Sequence, residues 1–328
     1  LTVRALITGG AGFIGSHLAE QLLNRGYEVT IIDNLVTGRF ENIAHLEKRL
    51  GFHYAIEDIR NAAVMDRLVS ECDVIFHLAA AVGVFSIVSN PIDTIEINVG
   101  GTEIVLKTAR RYRRKVLIAS TSEVYGKNEK IPFNEDDDRT LGATTKSRWS
   151  YAASKELDEF LALAYHKAAN LPVVILRFFN TVGARQRGHY GMVVPRFVRW
   201  ALRGEPLQVY GDGEQQRCFA NVNDVVDAVI RLGEAENANG EVFNIGSNEE
   251  VSIRQLAERV IARTGSTSEI KLIPYDQAYE AGFEDMRRRV PDVSKIKRVT
   301  GWEPTTPLDV TIDQIIAYQK PRLMDDKG

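Results

Sequence analysis

The chain has 328 residues, with 41 Lys+Arg against 44 Asp+Glu and a formal net charge of −3. That near-balance gives no general attraction to nucleic acid or to an anionic membrane surface. Hydrophobic residues make up 44% and charged residues 26%, so the chain can bury a core and is neither disordered nor of low complexity. Cys72 and Cys218 are the only cysteines. They exclude a disulfide framework and a multi-cysteine zinc site, and they point to a reducing, cytoplasmic compartment. No apolar run approaches the roughly 20 residues of a membrane helix, and no secretory signal is expected.

Short β-rich runs alternate with amphipathic stretches. Strands are predicted at 3–8, 27–32, 51–56, 73–78, 115–120 and 173–178. Helices are predicted between them at 14–24, 41–49, 62–70, 94–111 and 151–169. The alternation predicts an α/β fold of Rossmann type, a doubly wound parallel sheet spanning residues 1–180. Apolar strands such as Val173-Val174-Ile175-Leu176 suit a sheet covered on both faces. After about Asn180 the segments shorten and Pro and Gly become frequent. Residues 181–328 are expected to form mainly a smaller α/β substrate-binding lobe whose segments interleave with the first. Its strands are predicted at 207–210 and 242–245, and its helices at 194–203, 222–234, 253–264 and 308–318. The basic run at Arg110–Lys115 falls at a helix C-terminus, where cations suit the macrodipole, and reads as a solvated helix end.

Thr8-Gly9-Gly10-Ala11-Gly12-Phe13-Ile14-Gly15 lies between a predicted strand and helix. Glycines at 9, 12 and 15 allow a tight turn, close approach of backbone to a pyrophosphate, and close helix–strand packing. The helix N-terminus supplies unpaired N–H groups to phosphate. No Gly-Lys-Ser/Thr follows, which excludes a Walker loop. Asp33 ends the second strand, 18 residues after Gly15. A carboxylate there accepts ribose hydroxyls and repels a 2′-phosphate, so NAD is expected over NADP. Asn34, which follows the acid, is expected to join the cofactor site, and Asp58 and Ile59 are expected near the adenine. Leu78, Ala79 and Ala80 are small or apolar enough for a dinucleotide to lie close. His77 reads as a packed strand histidine.

Tyr151 and Lys155 are four residues apart, one helical turn on one face. A phenol titrates near pH ~10 and is a poor base at neutrality. An adjacent ammonium and a positive nicotinamide ring are expected to depress that value. The pair then takes a proton from a sugar hydroxyl.

Together the glycine turn and the Tyr-x-x-x-Lys helix resemble the extended short-chain dehydrogenase/reductase family, the NAD-dependent nucleotide-sugar epimerases, dehydratases and decarboxylases. The resemblance runs from the glycine turn to Gly301-Trp302-Glu303-Pro304. It implies that Thr121, with Ser122 and Glu123 of Ser120-Thr121-Ser122-Glu123-Val124-Tyr125-Gly126, joins Tyr151 and Lys155 in catalysis. Thr-Ser-Glu-Val-Tyr-Gly, Arg148-Trp149-Ser150-Tyr151, and Arg289 before Pro291 look like the UDP-glucuronate decarboxylases. GDP-mannose 4,6-dehydratase shares the Thr-Ser-Glu, so Glu123 alone does not select the outcome. In the second lobe the resemblance assigns Asn180, Arg185, Arg187 and Arg217 to the UDP-sugar, and Arg289 to an acidic sugar. Arg187 matches an arginine that holds the carboxylate in UDP-glucuronate 4-epimerases.

The expected reaction oxidises C4 of a UDP-sugar and passes through a 4-keto intermediate. UDP-glucuronate decarboxylation to UDP-xylose is the first reading. UDP-glucose or UDP-glucuronate 4-epimerisation is the alternative, followed by 4,6-dehydration. A dinucleotide-binding module without turnover is the non-enzymatic rival, and the intact Thr121, Tyr151 and Lys155 argue against it. No metal is expected. The resemblance also implies a homodimer through a four-helix bundle of the 94–111 and 151–169 helices, with Leu106 and Leu161 turned outward.

Overall fold

The structure, a computed structural model, describes residues 2–82, 91–188, 192–274 and 286–325. The first part runs β1 (Arg4–Thr8), α1 (Phe13–Asn24), β2 (Glu28–Asp33), β3 (Phe52–Ile56), α2 (Ala62–Glu71) and β4 (Val74–His77). Then follow α3 (Pro91–Ile95), a π-helical turn (Glu96–Gly100), α4 (Gly101–Tyr112), β5 (Lys115–Thr121), α5 (Trp149–Ala169) and β6 (Val173–Phe178). The second part holds β7 (Thr181–Val182), α6 (Val193–Arg203), β8 (Leu207–Tyr210), β9 (Gln216–Cys218), β10 (Ala220–Asn221) and α7 (Val222–Glu234). It closes with β11 (Glu241–Ile245), β12 (Glu250–Ser252), α8 (Ile253–Thr264), β13 (Ile270–Ile273), β14 (Arg288–Arg289), α9 (Ser294–Thr300) and α10 (Leu308–Asp325).

Seven strands form a parallel sheet in the order β11-β6-β5-β4-β1-β2-β3. The order reverses between β1 and β4, where an open α/β sheet leaves a crevice at its carboxyl edge. One face is covered by α1 and α7 around Leu18, Leu22, Val225 and Val229. The other is covered by α2, α4 and α5 around Met65, Leu68, Val105 and Ala162. Thus α7 and β11, both beyond residue 181, belong to the large sheet and its covering layer. A separate core of Val194, Phe197, Leu256 and Ile312 joins α6, α8 and α10.

Two predicted segments differ. The 41–49 helix is instead a pair of 3₁₀ turns, Phe40–Asn42 and Ala44–Leu46. Ile43 and Leu46, both fully buried, point inward at the three-residue spacing of a 3₁₀ helix. The Asn42 amide also donates to the Ala11 carbonyl at 2.8 Å, tying the segment to the glycine turn. The long 94–111 helix contains the π turn at Glu96–Gly100. That turn carries Asn98, which accepts from the Ala81 N–H at 2.8 Å and donates to Ser154 Oγ at 3.2 Å.

Leu106 is fully buried and Leu161 packs on the core, so neither points outward as expected. The exposed apolar side chains here are Ile92 and Ile95 before α4, and Leu157 and Phe160 on α5.

A buried ion pair fixes α5 on the sheet. Arg177 on β6 grips Glu159 with Nε–Oε1 at 2.9 Å and Nη2–Oε2 at 2.7 Å. Ser120 Oγ donates to the same carboxylate at 2.5 Å. Removing one partner of such a pair costs about 3–5 kcal/mol, because the other charge stays buried alone. Glu159→Gln is expected to lower unfolding stability by that order, read as the shift in a urea midpoint at unchanged slope.

Candidate active site

A cavity of about 670 Å³ opens at the carboxyl ends of β1, β2, β4, β5 and β6. Gly9, Gly12, Phe13, Ile14 and Gly15 line one end. Gly9 has φ +70°, and a Cβ on it would meet the Ala79 Cα at 2.9 Å. A Cβ on Gly15 would lie 2.2 Å from the Gly9 carbonyl oxygen. The turn therefore closes only with glycine at both places. Gly12 caps α1 with no side-chain hydrogen bond, and no acidic residue sits in the first turn. The first N–H groups of α1 are thus left for an anion.

Asp33 is buried and accepts the Ala11 N–H at 2.9 Å and the Leu35 N–H at 2.8 Å. Burial raises its pKa, and those backbone bonds counter it. A second negative charge beside it would be costly, so the cradle fits the ribose of NAD and not a 2′-phosphate. Asn34, Ile59, Leu78, Ala79 and Ala80 also line the cavity. Asp58 does not. Its carboxylate is taken by Arg60, at 2.9 Å from both Nε and Nη2, and by the Asn34 amide at 3.1 Å. Glu57 and Ile59 flank the cavity in its place.

Thr121, Ser122, Glu123, Tyr151 and Lys155 come together at the centre. The Tyr151 hydroxyl hydrogen-bonds Thr121. Burial pushes the Tyr151 pKa up, the Glu123 charge adds to this, and the Thr121 bond opposes it. The expected depression by Lys155 is absent from the chain's own groups. The Lys155 ammonium is paired with Asp158 Oδ2 at 2.7 Å, and both side chains are buried. A positive nicotinamide ring bound beside the phenol would add to Lys155 in favouring the phenolate.

Glu123 sits between two arginines, 2.6 Å from Arg289 Nη1 and 3.3 Å from Arg148 Nη2. Burial favours its neutral form, but Arg289 and Arg148 outweigh it and hold the carboxyl below its ordinary pKa. Arg289 arrives because β14 pairs with β9, placing Arg289 opposite Arg217. Sequence reasoning missed Arg148 as a site residue, although it stands in the quoted Arg148-Trp149-Ser150-Tyr151 run.

Asn180, Arg187 and Arg217 line the far part of the cavity. Arg217 Nη1 donates to the Gln216 and Met286 carbonyls, both at 2.8 Å. Arg185 is a correction. It lines the cavity, but its guanidinium turns to α1 and pairs with Glu20 at 2.6 Å, on the dinucleotide side. Arg196 was also missed. Its guanidinium lies 5.0 Å from the Trp200 ring and 4.9 Å from the Tyr210 ring. Only the helical i,i+4 spacing to Trp200 hinted at it. Among the described residues no His/Cys/Asp/Glu group could hold a metal ion, and no helix is long and apolar enough to cross a membrane.

Residues 6–315 match the family described as GDP-mannose 4,6 dehydratase. The chain belongs to this family of extended short-chain dehydrogenases/reductases. It is 46% identical over 316 residues to the UDP-N-acetyl-α-D-glucosaminuronate decarboxylase of Bacillus cytotoxicus, covering 96% of this chain and 97% of that protein. It is 38% identical to UDP-glucuronic acid decarboxylase 1 of Danio rerio, covering 96% of this chain and 72% of that protein. A solved UDP-glucuronic acid 4-epimerase from Bacillus cereus, in complex with UDP-glucuronic acid and NAD, superposes with a TM-score of 0.88. Its identity is 30%, over 98% of this chain and 100% of that one.

As a member of the family the chain uses NAD, which the uncapped α1 and Asp33 fit. Gly15→Ala is expected to weaken NAD+ binding at least tenfold, because the turn must open to admit the methyl group. Asp33→Ala should narrow the preference for NAD+ over NADP+. Both are read by titration of the protein with each dinucleotide.

Proposed function

We propose that the protein is an NAD-dependent UDP-hexuronate decarboxylase, with UDP-glucuronate to UDP-xylose as the first reaction to test. The observation that carries this reading is the Arg148–Glu123–Arg289 cluster beside Tyr151. Two guanidinium groups against one carboxylate leave one positive charge, and a C6 carboxylate of the sugar balances it. Its loss as CO2 leaves a product that no longer does. The bidentate geometry of arginine suits that carboxylate.

Tyr151, with Thr121 against its hydroxyl, takes the proton of the C4 hydroxyl and later returns it. When bound, NAD+ supplies a reversible oxidation at C4, which makes the neighbouring C5–C6 bond labile. Arg289 and Arg148 orient the carboxylate so that this bond breaks, its electron pair moves into the C4 ketone, and a proton from solvent then adds at C5 to restore the ketone before C4 is reduced again. Glu123 holds the two arginines in place. Its pairing with them also weakens it as a base at C5, which disfavours 4,6-dehydration. The diphosphate falls to Arg217 and Arg187, with Arg196 beside Tyr210 at the nucleotide end.

Two further points belong to this reading. Ile92, Ile95, Leu157 and Phe160 form the apolar face of a homodimer built on a four-helix bundle, in which a second copy covers them. The cytoplasm is the compartment, supported by the buried free thiols of Cys72 and Cys218.

The protein is incubated separately with UDP-glucuronate, its 2-acetamido analogue and UDP-glucose, and products are read by mass. Release of CO2 from a uronate is the expected result, and the two uronates together identify the C2 substituent preferred. Unchanged mass with inverted C4 would establish the epimerase reading, which the Bacillus cereus likeness favours. Loss of water would establish the dehydratase. Tyr151→Phe should keep substrate binding and lose about 10²–10⁴-fold in rate. Arg289→Ala should suppress CO2 release and weaken uronate binding more than binding of UDP-glucose. Light scattering should give a dimer for the native protein and a monomer for Phe160→Glu.

A further inference from the structure

Lys155 is almost fully buried on the inner face of α5. A buried ammonium is costly unless an anion compensates it. That anion is Asp158, three residues along the same face, fully buried and 2.7 Å away. The Thr102 hydroxyl lies beside the Asp158 carboxylate. Thr102 Oγ1 is 3.0 Å from His77 Nε2. His77 Nδ1 is 2.7 Å from Thr8 Oγ1, which accepts the Ala79 N–H at 3.1 Å.

Burial pushes the Asp158 pKa up, and the Lys155 charge and the nearby Thr102 hydroxyl counter it. Its Oδ1 has no hydrogen-bond partner, so Lys155, on Oδ2, is the group that compensates it. His77 is neutral, its pKa pushed down to about 3 by burial and then by the Lys155 charge. The other titratable groups facing Asp158 are Glu159, one residue on, which Arg177 neutralises, and the Tyr151 phenol.

We propose that Asp158 is the positioning residue of this site, a fully buried counter-ion 2.7 Å from the lysine ammonium, which keeps Lys155 charged and aimed at the cofactor. Without the carboxylate, Lys155 faces the same burial with no opposite charge. It then sheds its proton more readily, and a neutral amine neither holds the cofactor ribose as strongly nor supports the Tyr151 phenolate.

The inference rests on the reading of Tyr151 and Lys155 as the working pair, but not on which sugar is turned over. NAD+ affinity of the purified protein is therefore measured from neutral to alkaline pH, alongside the pH dependence of turnover. In Asp158→Asn, NAD+ binding is expected to weaken about tenfold or more as pH rises, and the alkaline limb of turnover to move down by about one pH unit or more. Asp158→Glu should restore both. In a Lys155→Met background, Asp158→Asn should add no pH dependence. If the pH profiles of Asp158→Asn superimpose on the native ones, even at a uniformly lower rate, Asp158 is only structural and the proposal is overturned. Should Asp158→Asn not fold, Asp158→Ser against Asp158→Glu gives the same contrast of neutral with charged. If no UDP-sugar is turned over, the NAD+ profile alone still decides, and only the proposed reaction fails.

Discussion

The position of the catalytic helix depends on the buried pair between Arg177 and Glu159. Arg177 makes four hydrogen bonds. Beyond Glu159, its Nη1 donates to the Tyr125 hydroxyl and the Glu135 carbonyl, both at 2.9 Å. Tyr125 passes the connection to Asn244 on β11 at 2.7 Å. A buried ion pair repays its desolvation only when its geometry is good and its remaining donors are satisfied. Here the two-pronged contact and the added acceptors meet that condition. Glu159 lies one turn beyond Lys155, and Ser120, which shares its carboxylate, immediately precedes Thr121. The pair therefore sets the height of α5 against β5, and hence the meeting of Tyr151 with Thr121.

The charges around the cavity are arranged in two styles. At the dinucleotide end the chain offers backbone, through the glycine turn and the uncapped start of α1, because a pyrophosphate is reached best by N–H groups that nothing obstructs. At the reacting end it offers side chains already matched with one another. Lys155 has Asp158, and Arg289 and Arg148 share Glu123. Pre-paired groups keep their geometry without reorganising when substrate arrives, which is the condition for electrostatic catalysis. The excess of positive charge around Glu123 is where the proposed reaction would accommodate an acidic sugar.

This arrangement changes how Tyr151 is understood. The spacing of Tyr and Lys on one helical turn suggests that the lysine lowers the phenol's pKa by itself. In the folded protein that cation already has a closer partner, burial favours the neutral phenol, and Glu123 repels the phenolate. A bound nicotinamide ring would add a positive charge that, with Lys155, favours the phenolate.

By itself the sequence determined the parallel α/β architecture, the glycine turn, the acid after β2, and the pairing of Tyr151 with Lys155. Each of these is local, because strand and helix periodicity, turn chemistry and i,i+4 spacing are written within a few residues. The tertiary structure decided what depends on distant segments. β14 brought Arg289 to Glu123 across more than half the chain. α1 drew the Arg185 guanidinium to Glu20, and Arg60 and Asn34 took up the Asp58 carboxylate. The same holds for the 3₁₀ turns at 40–46, where a tether to Ala11 overrode helical propensity, and for Leu106, turned inward by packing against the sheet. Asp158 shows the boundary most clearly. Its place one turn after Lys155 is visible in the sequence, but only full burial of both side chains, enforced by packing against β5, α4 and the π-helical turn, gives that neighbour its consequence.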